Sequence, residues 1–342
     1  MVKKGKHASL KDIAQYVGVS TSLVSFVLNG KGRQHRVSEE MIKTINEAAQ
    51  KLNYQPNTFA KSLREGKSRV FGVVLSDISN PFFSSIARCL EDEAQKRGYS
   101  VLFSSSDENS EKAEVQVANL LSRGVDAMIF VPCENSRSTV RYIEETGKPL
   151  VLLDRCFPEI STSSVCLNNR EISFKATSHL LEAGFKHPGV IAYDFQLQHM
   201  RDRIDGYRDA MKAHGLEDLI CERRIRADKL HDTVKEQIVQ MQDEGVDSLL
   251  FATNNIAVES LYAIRELGIK VPEEMGLIGF DGGLAFDFFS APLSYIRQPI
   301  PLMAQKAVEI ILDELSSGEK MVQQIRVPGT LVLNASTKRK KA

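Results

Sequence analysis

The chain has 342 residues, 42% of them hydrophobic and 26% charged, a composition typical of a soluble globular protein with two or three domains. No stretch approaches 18 consecutive apolar residues, so the sequence predicts no membrane span. The five cysteines are scattered and never form a C-x-x-C pair, which argues against a zinc site or a disulfide framework. The first residues also lack the apolar segment of a secretory signal. We therefore expect a cytoplasmic protein without a metal ion or a cofactor.

The net charge is zero, but the charge is unevenly distributed. Residues 1–70 contain 13 Lys and Arg against 5 Asp and Glu, a net charge of +8, and the remaining residues contain 31 against 39, a net charge of −8. A basic head on an acidic body indicates a polyanionic partner for the head alone. The alternative is a solvated basic tail without a partner.

The head is predicted to contain three short helices. Ser9 and Asp12 have the spacing of a capping box for a helix over residues 10–17. Gly18 supplies the chain reversal, and Ser20 can begin a second helix that runs to about Leu28.

A third helix is predicted to begin after Ser38, because Ile42, Ile45, Ala49 and Leu52 recur at helical spacing. A short fourth helix is predicted over residues 58–64, followed by a linker.

From residue 70 onward, short apolar strands alternate with amphipathic helices. This alternation predicts parallel sheets with helices on both faces, arranged as two doubly wound α/β lobes. The predicted strands are Arg69–Leu75, Ser100–Phe103, Ala127–Val131, Pro149–Leu153, Gly189–Tyr193, Leu219–Ile225, Asp247–Phe251 and Gly276–Phe280.

The predicted domains follow from this pattern. We expect a head over residues 1–56, a hinge and linker over residues 57–69, and a body over residues 70–336, followed by a basic tail over residues 337–342. Within the body, one lobe is expected to combine residues 70–168 with 300–325, and the other to combine residues 169–299 with 326–336.

The segment that indicates function most directly is residues 9–28, which have the size of a helix-turn-helix. Ala14 is small where the two helices must approach each other. In this motif the first residues of the second helix point into the DNA major groove, and here those residues are Thr21 and Ser22, followed by Ser25 and Phe26. The alternative is an ordinary helical hairpin within a core.

The sequence resembles the LacI family of bacterial repressors from Leu10 to about Ser336. In the head the resemblance rests on LKDIA, GVS, VLN, VSEE, LNYQPN and AKSLR, which begin at Leu10, Gly18, Val27, Val37, Leu52 and Ala60. In the body it rests on GV, DISNPFF, GFD and IRQP, which begin at Gly72, Asp77, Gly279 and Ile296. The resemblance implies a homodimer that binds a pseudo-palindromic double-stranded DNA operator through the helix-turn-helix head.

The resemblance also implies roles for individual head residues. Thr21, Ser22 and Phe26 fall where family members place base-reading side chains, and Ser25 and Asn29 lie beside them. Phe26 departs from the hydrogen-bonding residue of well-known relatives, so it could contact a thymine methyl or simply pack inside the head. Residues 57–64 resemble the hinge helix, with Leu63 as a wedge between base steps, and the other DNA-contact candidates there are Asn57, Lys61 and Arg64. The alternative is that Leu63 is a linker residue that does not insert.

The body resembles periplasmic sugar-binding proteins, which hold a ligand between two lobes at the carboxyl ends of the strands. Arg203 and Asp281 are the strongest effector candidates by family position, since Asp accepts and Arg donates hydrogen bonds to hydroxyl groups. The other predicted effector contacts are Asp77, Phe82, Phe83, Asp154, Arg155, Thr253 and Asn254. The charged residues could instead form structural salt bridges or helix caps, and Phe82 could belong to the core.

These features together predict a DNA-binding transcriptional repressor that is allosterically controlled by a sugar-like effector. An enzyme is disfavoured, because no glycine-rich phosphate loop follows a strand and no catalytic motif is recognisable. Control by a phosphoprotein co-regulator stays open, and a sugar-binding protein without a DNA function is a weaker alternative.

Overall fold

The computed structural model describes residues 8–54 and 66–339. The chain divides into two compact units, residues 1–68 and residues 69–342, which are called here the head and the body. The predicted helix over residues 58–64 lies outside the described residues. Among those that are described, no helix combines the length and the apolar character that a bilayer crossing requires.

The head contains the three predicted helices α1 (Leu10–Val17), α2 (Thr21–Leu28) and α3 (Glu39–Lys51). The capping box is present, since the side chain of Ser9 accepts from the backbone of Asp12 and the carboxylate of Asp12 accepts from the backbone of Ser9. Gly18 ends α1 in the left-handed conformation, with a φ of 80° that a residue with a Cβ would adopt only with strain.

The side chains of Ser20 and Ser38 cap α2 and α3 by accepting hydrogen bonds from the backbone. The three helices share one small apolar core, which consists of the buried residues Ile13, Ala14, Val24, Val27, Ile45, Ala48 and Ala49.

The first lobe of the body is built on a six-stranded sheet with the order β11-β5-β4-β3-β1-β2, and every neighbouring pair of strands is parallel. The strands are β1 (Val70–Leu75), β2 (Ser100–Ser105), β3 (Ala127–Phe130), β4 (Leu150–Leu153), β5 (Ser163–Leu167) and β11 (Gln324–Val327). The helices are α4 (Pro81–Lys96), α5 (Ser110–Ser122), α6 (Arg137–Glu145) and α12 (Ile300–Ser317).

The second lobe repeats this arrangement with the order β12-β10-β9-β8-β6-β7. The strands are β6 (Pro188–Tyr193), β7 (Cys221–Ile225), β8 (Ser248–Phe251), β9 (Gly276–Phe280), β10 (Ser294–Arg297) and β12 (Thr330–Val332). The helices are α7 (Asn169–Glu182), α8 (Gln198–Ala213), α9 (Leu230–Asp243), α10 (Asn254–Leu267) and the short α11 (Leu284–Phe288). Each lobe is therefore a doubly wound sheet, which places the carboxyl ends of its central strands at a topological switch point.

The structure confirms the eight predicted strands within a residue or two and adds β5, β10, β11 and β12. Strand β12 corrects the expectation of purely parallel sheets, because it runs antiparallel to β10. The expected boundary at residue 325 also divides β11, which pairs with β5 as far as Val327. The chain therefore leaves the first lobe for the last time after Val327.

The two lobes contact each other through residues 195–197. Leu197, which precedes α8 of the second lobe, is buried in an apolar cluster of the first lobe that includes Phe130 and Leu152. The backbone N–H of Gln196 donates to the carboxylate of Glu134 at 2.8 Å. These contacts hold the carboxyl ends of the two sets of strands against each other.

Helices α7 and α8 pack unusually closely, because Gly206 faces the backbone of α7. A Cβ at Gly206 would lie 2.2 Å from the carbonyl oxygen of Arg170 and 2.8 Å from the Cβ of Ser173. Backbone atoms cannot rotate away, so any side chain at this position forces the two helices apart.

We therefore expect Gly206→Ala to destabilise the body by about 1–3 kcal/mol, the usual cost of overpacking a core. The measurement is chemical unfolding monitored by circular dichroism, with the exposed Lys212→Ala in the same helix as the control. Equal stability of the two variants would contradict the close approach of α7 and α8.

Candidate functional site

The head presents the beginning of α2 to solvent. Thr21 and Ser22 are exposed in its first turn, and no acidic side chain lies there. Val24 and Val27 on the opposite side are buried in the helical core. The exposed hydroxyl groups and the positive end of the helix dipole are suited to contact a polyanion.

The three remaining candidates on α2 make contacts within the head. The amide of Asn29 donates to the carbonyl oxygen of Ser25 at 2.7 Å and to the Ser25 hydroxyl at 3.2 Å. The ring of Phe26 stacks on the imidazole of His35, with 3.6 Å between the ring centroids and 14° between the planes. The stacking on His35 therefore supports the alternative that Phe26 packs within the head.

The segment between α2 and α3 carries basic residues that contribute to the net charge of the head but were not predicted as DNA contacts. Lys31 and Arg36 are exposed there, close in sequence to His35, while Arg33 pairs with Glu39 at 2.7 Å. These side chains are additional candidates for phosphate contacts. Four predicted DNA contacts, Asn57, Lys61, Leu63 and Arg64, lie outside the described residues.

In the body, two aspartates occupy equivalent places in the two lobes. Asp154 follows β4 and Asp281 follows β9, and each is next to the end of a central strand. Both have left-handed backbones, with φ angles of 67° and 75°. Such conformations cost free energy in residues other than glycine and are concentrated at functional sites.

Arg155 is buried beside Asp154, and its charge is neutralised within the first lobe. Its guanidinium donates two hydrogen bonds to the carboxylate of Glu108, at 2.7 and 2.8 Å, and one to the carbonyl oxygen of Pro132. Burial opposes the charged form, but the Glu108 carboxylate outweighs it and raises the pKa of Arg155. The Nε of Arg155 also lies 3.5 Å from the Asp154 carboxylate.

Arg203 projects from α8 and is only 3% exposed. It donates to the side-chain oxygen of Asn169 and to the carbonyl oxygen of Ala252, both at 2.7 Å, and its guanidinium lies 3.9 Å from the ring centroid of Phe280. Burial lowers the pKa of Arg203, and the carboxylates of Asp281 and Asp154 oppose this shift. Arg203 thus faces the aspartates of both lobes.

Asp281 and Gln298 form a hydrogen-bonded pair opposite Arg203. The amide nitrogen of Gln298 donates to the Asp281 carboxylate at 2.6 Å. Burial raises the pKa of Asp281 to about 6, although Arg203 and Gln298 act in the opposite direction. Burial also raises the pKa of Asp154.

His199 completes this group from the first turn of α8. Burial lowers its pKa well below the usual value, and the nearby charges of Arg155 and Arg203 lower it further. The imidazole is therefore neutral near pH 7, with one ring nitrogen that donates and one that accepts.

We call Asp154, Arg155, His199, Arg203, Asp281 and Gln298 the cleft cluster. Four of its buried polar atoms have no hydrogen-bond partner among the described residues: Asp154 Oδ1, Arg155 Nε, His199 Nδ1 and Gln298 Oε1. An unpaired polar atom costs about 1–3 kcal/mol when it is buried. The cleft cluster is therefore a set of acceptors and donors suited to a polar ligand.

Five predicted effector residues have different partners. The carboxylate of Asp77 accepts from the backbone and hydroxyl of Ser79, within its own turn. Phe82 and Phe83 are buried in the core of the first lobe, although the ring of Phe83 lies 5.5 Å from the guanidinium of Arg155.

The other two, Thr253 and Asn254, lie at the start of α10. Thr253 caps the helix, and Asn254 donates to the carbonyl oxygen of Gly282, which supports the turn that follows Asp281.

Four residues of the site, Glu108, Asn169, His199 and Gln298, were not predicted from the sequence. Asn169 follows β5, a strand that was not predicted, so its position at a strand end was not visible. Gln298 lies in the quoted IRQP motif, and this was the one signal that could have identified it.

Comparisons with known proteins match nearly the whole chain. Residues 9–57 match the family model for bacterial regulatory proteins of the lacI family. Residues 68–226 match periplasmic binding proteins and the sugar binding domain of the LacI family, and residues 177–337 match a periplasmic binding protein-like domain.

Individual proteins give the same result. A probable HTH-type transcriptional regulator, EndR of Paenibacillus polymyxa, is 29% identical over 91% of this chain and 92% of its own. The HTH-type transcriptional repressor PurR of Pasteurella multocida is 27% identical over 97% of this chain and 99% of its own. The crystal structure of the Lac repressor dimer bound to operator and the anti-inducer ONPF superposes with a TM-score of 0.85, at 25% identity over 97% of this chain and 99% of the other.

The helix-turn-helix head and the two-lobed body define a DNA-binding transcriptional regulator. More specifically, the chain belongs to the LacI family of bacterial regulatory proteins.

The raised pKa of Asp281 leads to a prediction about stability. Its pKa of about 6 in the folded protein exceeds the ordinary value of 3.8, so folding favours the protonated form. The ionised carboxylate therefore costs stability above pH 6, and this cost declines as the pH falls through 6 towards 4. Asp281→Asn has no such cost, so the melting temperature of the variant minus that of the parent should decrease between pH 7.5 and pH 5.

The measurement is thermal unfolding of the ligand-free protein across this pH range. Asp287→Asn, which removes an exposed carboxylate from the neighbouring α11, is the control. If the difference for Asp281→Asn stayed constant over the range, the carboxylate would not be desolvated in the folded protein.

Proposed function

We propose that the protein is a cytoplasmic repressor whose operator binding is controlled by a neutral, polyhydroxylated effector in the cleft cluster. The observation that carries this proposal is the set of four unpaired polar atoms described above. Two of them, Asp154 Oδ1 and Gln298 Oε1, are acceptors, Arg155 Nε is a donor, and His199 Nδ1 can be either. A sugar hydroxyl both donates and accepts, so vicinal hydroxyl groups match this set.

The balance of charge favours a neutral ligand over an anionic one. Three carboxylates, those of Glu108, Asp154 and Asp281, face two guanidiniums, those of Arg155 and Arg203. Arg155 is already occupied by Glu108, and Arg203 is bonded to Asn169 and Ala252. A phosphate or a carboxylate would therefore meet two guanidiniums of the cleft cluster that are already bonded, together with an excess of negative charge.

We further propose that the cleft binds its ligand without transforming it. Asp154 and Asp281 could be imagined as an acid and a base, but a binding cleft accounts for both without chemistry. The similar proteins named above are transcriptional regulators or repressors, which supports this interpretation.

The test is a thermal-shift screen of the full chain against D-ribose, D-galactose, cellobiose, gluconate, glucose 6-phosphate and hypoxanthine. We expect a neutral saccharide to raise the melting temperature, because a ligand that binds only the folded state stabilises it by about 2.7 kcal/mol at a hundredfold excess over Kd. Asp281→Ala should abolish the shift, because it removes the carboxylate that positions the amide of Gln298. Asp77→Ala is the control and should keep it, because Asp77 bonds within its own turn.

A shift produced only by gluconate, glucose 6-phosphate or hypoxanthine would contradict the proposed effector class. A saccharide shift that survives in Asp281→Ala would place the binding site elsewhere.

For the assembly, we propose a homodimer that uses an apolar surface of the second lobe. Tyr262 on α10 and Leu284 and Phe288 on α11 are 53%, 76% and 84% exposed. Tyr262 and Phe288 border a cavity that is also lined by Val258, Leu261, Arg265, Ala285 and Phe289. Exposed apolar clusters of this kind mark protein interfaces, and an interface that joins two identical copies is symmetric.

Phe288→Glu should therefore convert the dimer into a monomer, because it places a charge in the buried interface. Sedimentation velocity measures the change, and Val239→Glu, which introduces the same charge on α9, is the matched control. A Phe288→Glu protein that sediments as the parent does would rule out this surface as the interface.

A further inference from the structure

Two cysteines lie beside each other immediately next to the cleft cluster. Cys156 follows Asp154 and Arg155 at the end of β4, and Cys166 is in the neighbouring strand β5. The two strands pair in parallel, with Leu153 opposite Val165, and the backbone N–H of Asp154 donates to the carbonyl oxygen of Val165 at 2.9 Å. Both thiols are buried, 8% and 1% exposed, in one apolar cluster.

A positive charge lies next to this pair. Arg326 is in the edge strand β11 directly opposite Cys166, and its guanidinium lies 3.5 Å from the sulfur of Cys156. A thiolate is stabilised by a hydrogen-bond donor and by a nearby cation. Both are present at Cys156, because the Arg326 guanidinium is a hydrogen-bond donor as well as a cation.

The two thiols are consequently unequal. The neighbouring Cys166 thiol and the charge of Arg326 lower the pKa of Cys156, against the opposing effects of burial and of Asp202 on α8. The neighbouring Cys156 and burial raise the pKa of Cys166. Cys156 is therefore the thiol of the pair that ionises first.

The other three cysteines differ, although Arg223 lies 3.7 Å from the sulfur of Cys221, because that thiol also donates to the carboxylate of Glu244. Burial raises the pKa of Cys89, Cys133 and Cys221, in the last case to about 11. Since a thiolate is the reactive form of cysteine, Cys156 is set apart from the remaining thiols of the chain.

We propose that Cys156 and Cys166 form a peroxide-sensitive thiol pair, in which Cys156 is the attacking thiolate and Cys166 the resolving thiol. The Cys156 sulfur attacks one oxygen of hydrogen peroxide, the O–O bond breaks, and the leaving hydroxide takes a proton to form water. The Cys166 sulfur then attacks the sulfenic sulfur of Cys156, an S–S bond forms as the S–O bond breaks, and the hydroxide leaves as water with the Cys166 proton. The two thiols lose two electrons in total, and the peroxide is reduced to water.

Oxidation of the pair is expected to affect the cleft cluster, because Cys156 follows two of its members in the sequence. Arg155 and Asp154 directly precede Cys156, and Leu197 of the second lobe packs in the same apolar cluster as both cysteines. A disulfide that ties Cys156 to β5 would restrain the segment that carries two members of the cleft cluster. The thiol chemistry itself does not depend on the identity of the effector.

The experiment treats the full-length protein with hydrogen peroxide at pH 7, alkylates the remaining thiols under denaturing conditions, and identifies tryptic peptides by mass spectrometry. Both cysteines fall in one tryptic peptide, residues 156–170, because Arg155 and Arg170 are the flanking cleavage sites. We expect this peptide to escape alkylation and to be lighter by two hydrogen atoms, while Cys89, which is partly exposed, stays reduced and is alkylated.

The variants separate the two roles. Cys166→Ser should stop at the sulfenic acid of Cys156, which dimedone captures, and Cys156→Ser should leave Cys166 reduced. Arg326→Gln should slow the oxidation about tenfold by removing the charge that stabilises the thiolate, whereas Arg326→Lys should retain most of the rate.

Arg326 is an exposed residue of an edge strand, so its variants test the proposal even if a serine variant fails to fold. Oxidation of Cys89 before the 156–170 peptide, or equal rates in Arg326→Gln and Arg326→Lys, would overturn the proposal.

Discussion

The candidate site depends on how the second lobe buries the guanidinium of Arg203 near the carboxyl ends of its central strands. A buried charge is tolerated only when it is paired and hydrogen-bonded. Here Asn169 and Ala252 accept from the guanidinium, Phe280 lies against it, and Asp281 and Asp154 supply negative charge from the two lobes. Because those aspartates follow equivalent strands of two similar sheets, the duplicated topology brings together charges that lie far apart in the sequence. Both aspartates also have left-handed backbones, a strained conformation that is concentrated at functional sites.

The charges of the cleft cluster are paired, but four of its polar atoms have no hydrogen-bond partner among the described residues, and the proposed regulation rests on those four atoms. A ligand that pairs those atoms stabilises the arrangement in which the lobes meet at residues 195–197. A ligand shifts a conformational equilibrium only by its difference in affinity for the two states, and groups that are buried and unpaired in one state provide such a difference. For a LacI-family regulator, the corresponding hypothesis is that lobe closure alters operator binding by the head through the segment at residues 57–64.

The helices of the head could be predicted from the sequence more accurately than some strands and site residues of the body, for physical reasons. Helices α1 to α3 were predicted closely because caps at Ser9, Ser20 and Ser38 are local signals that tertiary contacts did not override. The missed strands β10 and β11 are short and contain polar residues such as Arg297 and Gln324, so they lack the continuous apolar pattern of a buried strand.

Among the site residues, Asp154, Arg155, Arg203 and Asp281 were predicted at strand ends or by family position, and the structure brings them together. The same reasoning predicted Asp77 and Phe82, but Asp77 bonds within its own turn and Phe82 packs in the core of the first lobe. A position at a strand end does not determine where a side chain points.

The proposed regulation requires that ligand binding in the cleft and DNA binding by the head are coupled. Its most direct test is a thermodynamic cycle on the full-length protein, with an operator duplex selected from a random-sequence pool and the saccharide that most raises the melting temperature. Fluorescence anisotropy gives the operator Kd with and without the saccharide, and calorimetry gives the saccharide Kd with and without the operator. If the two sites are coupled, both constants change by the same factor, about 5–150-fold, and Asp281→Ala keeps operator binding but loses the change. Two constants that are each indifferent to the other ligand would contradict it.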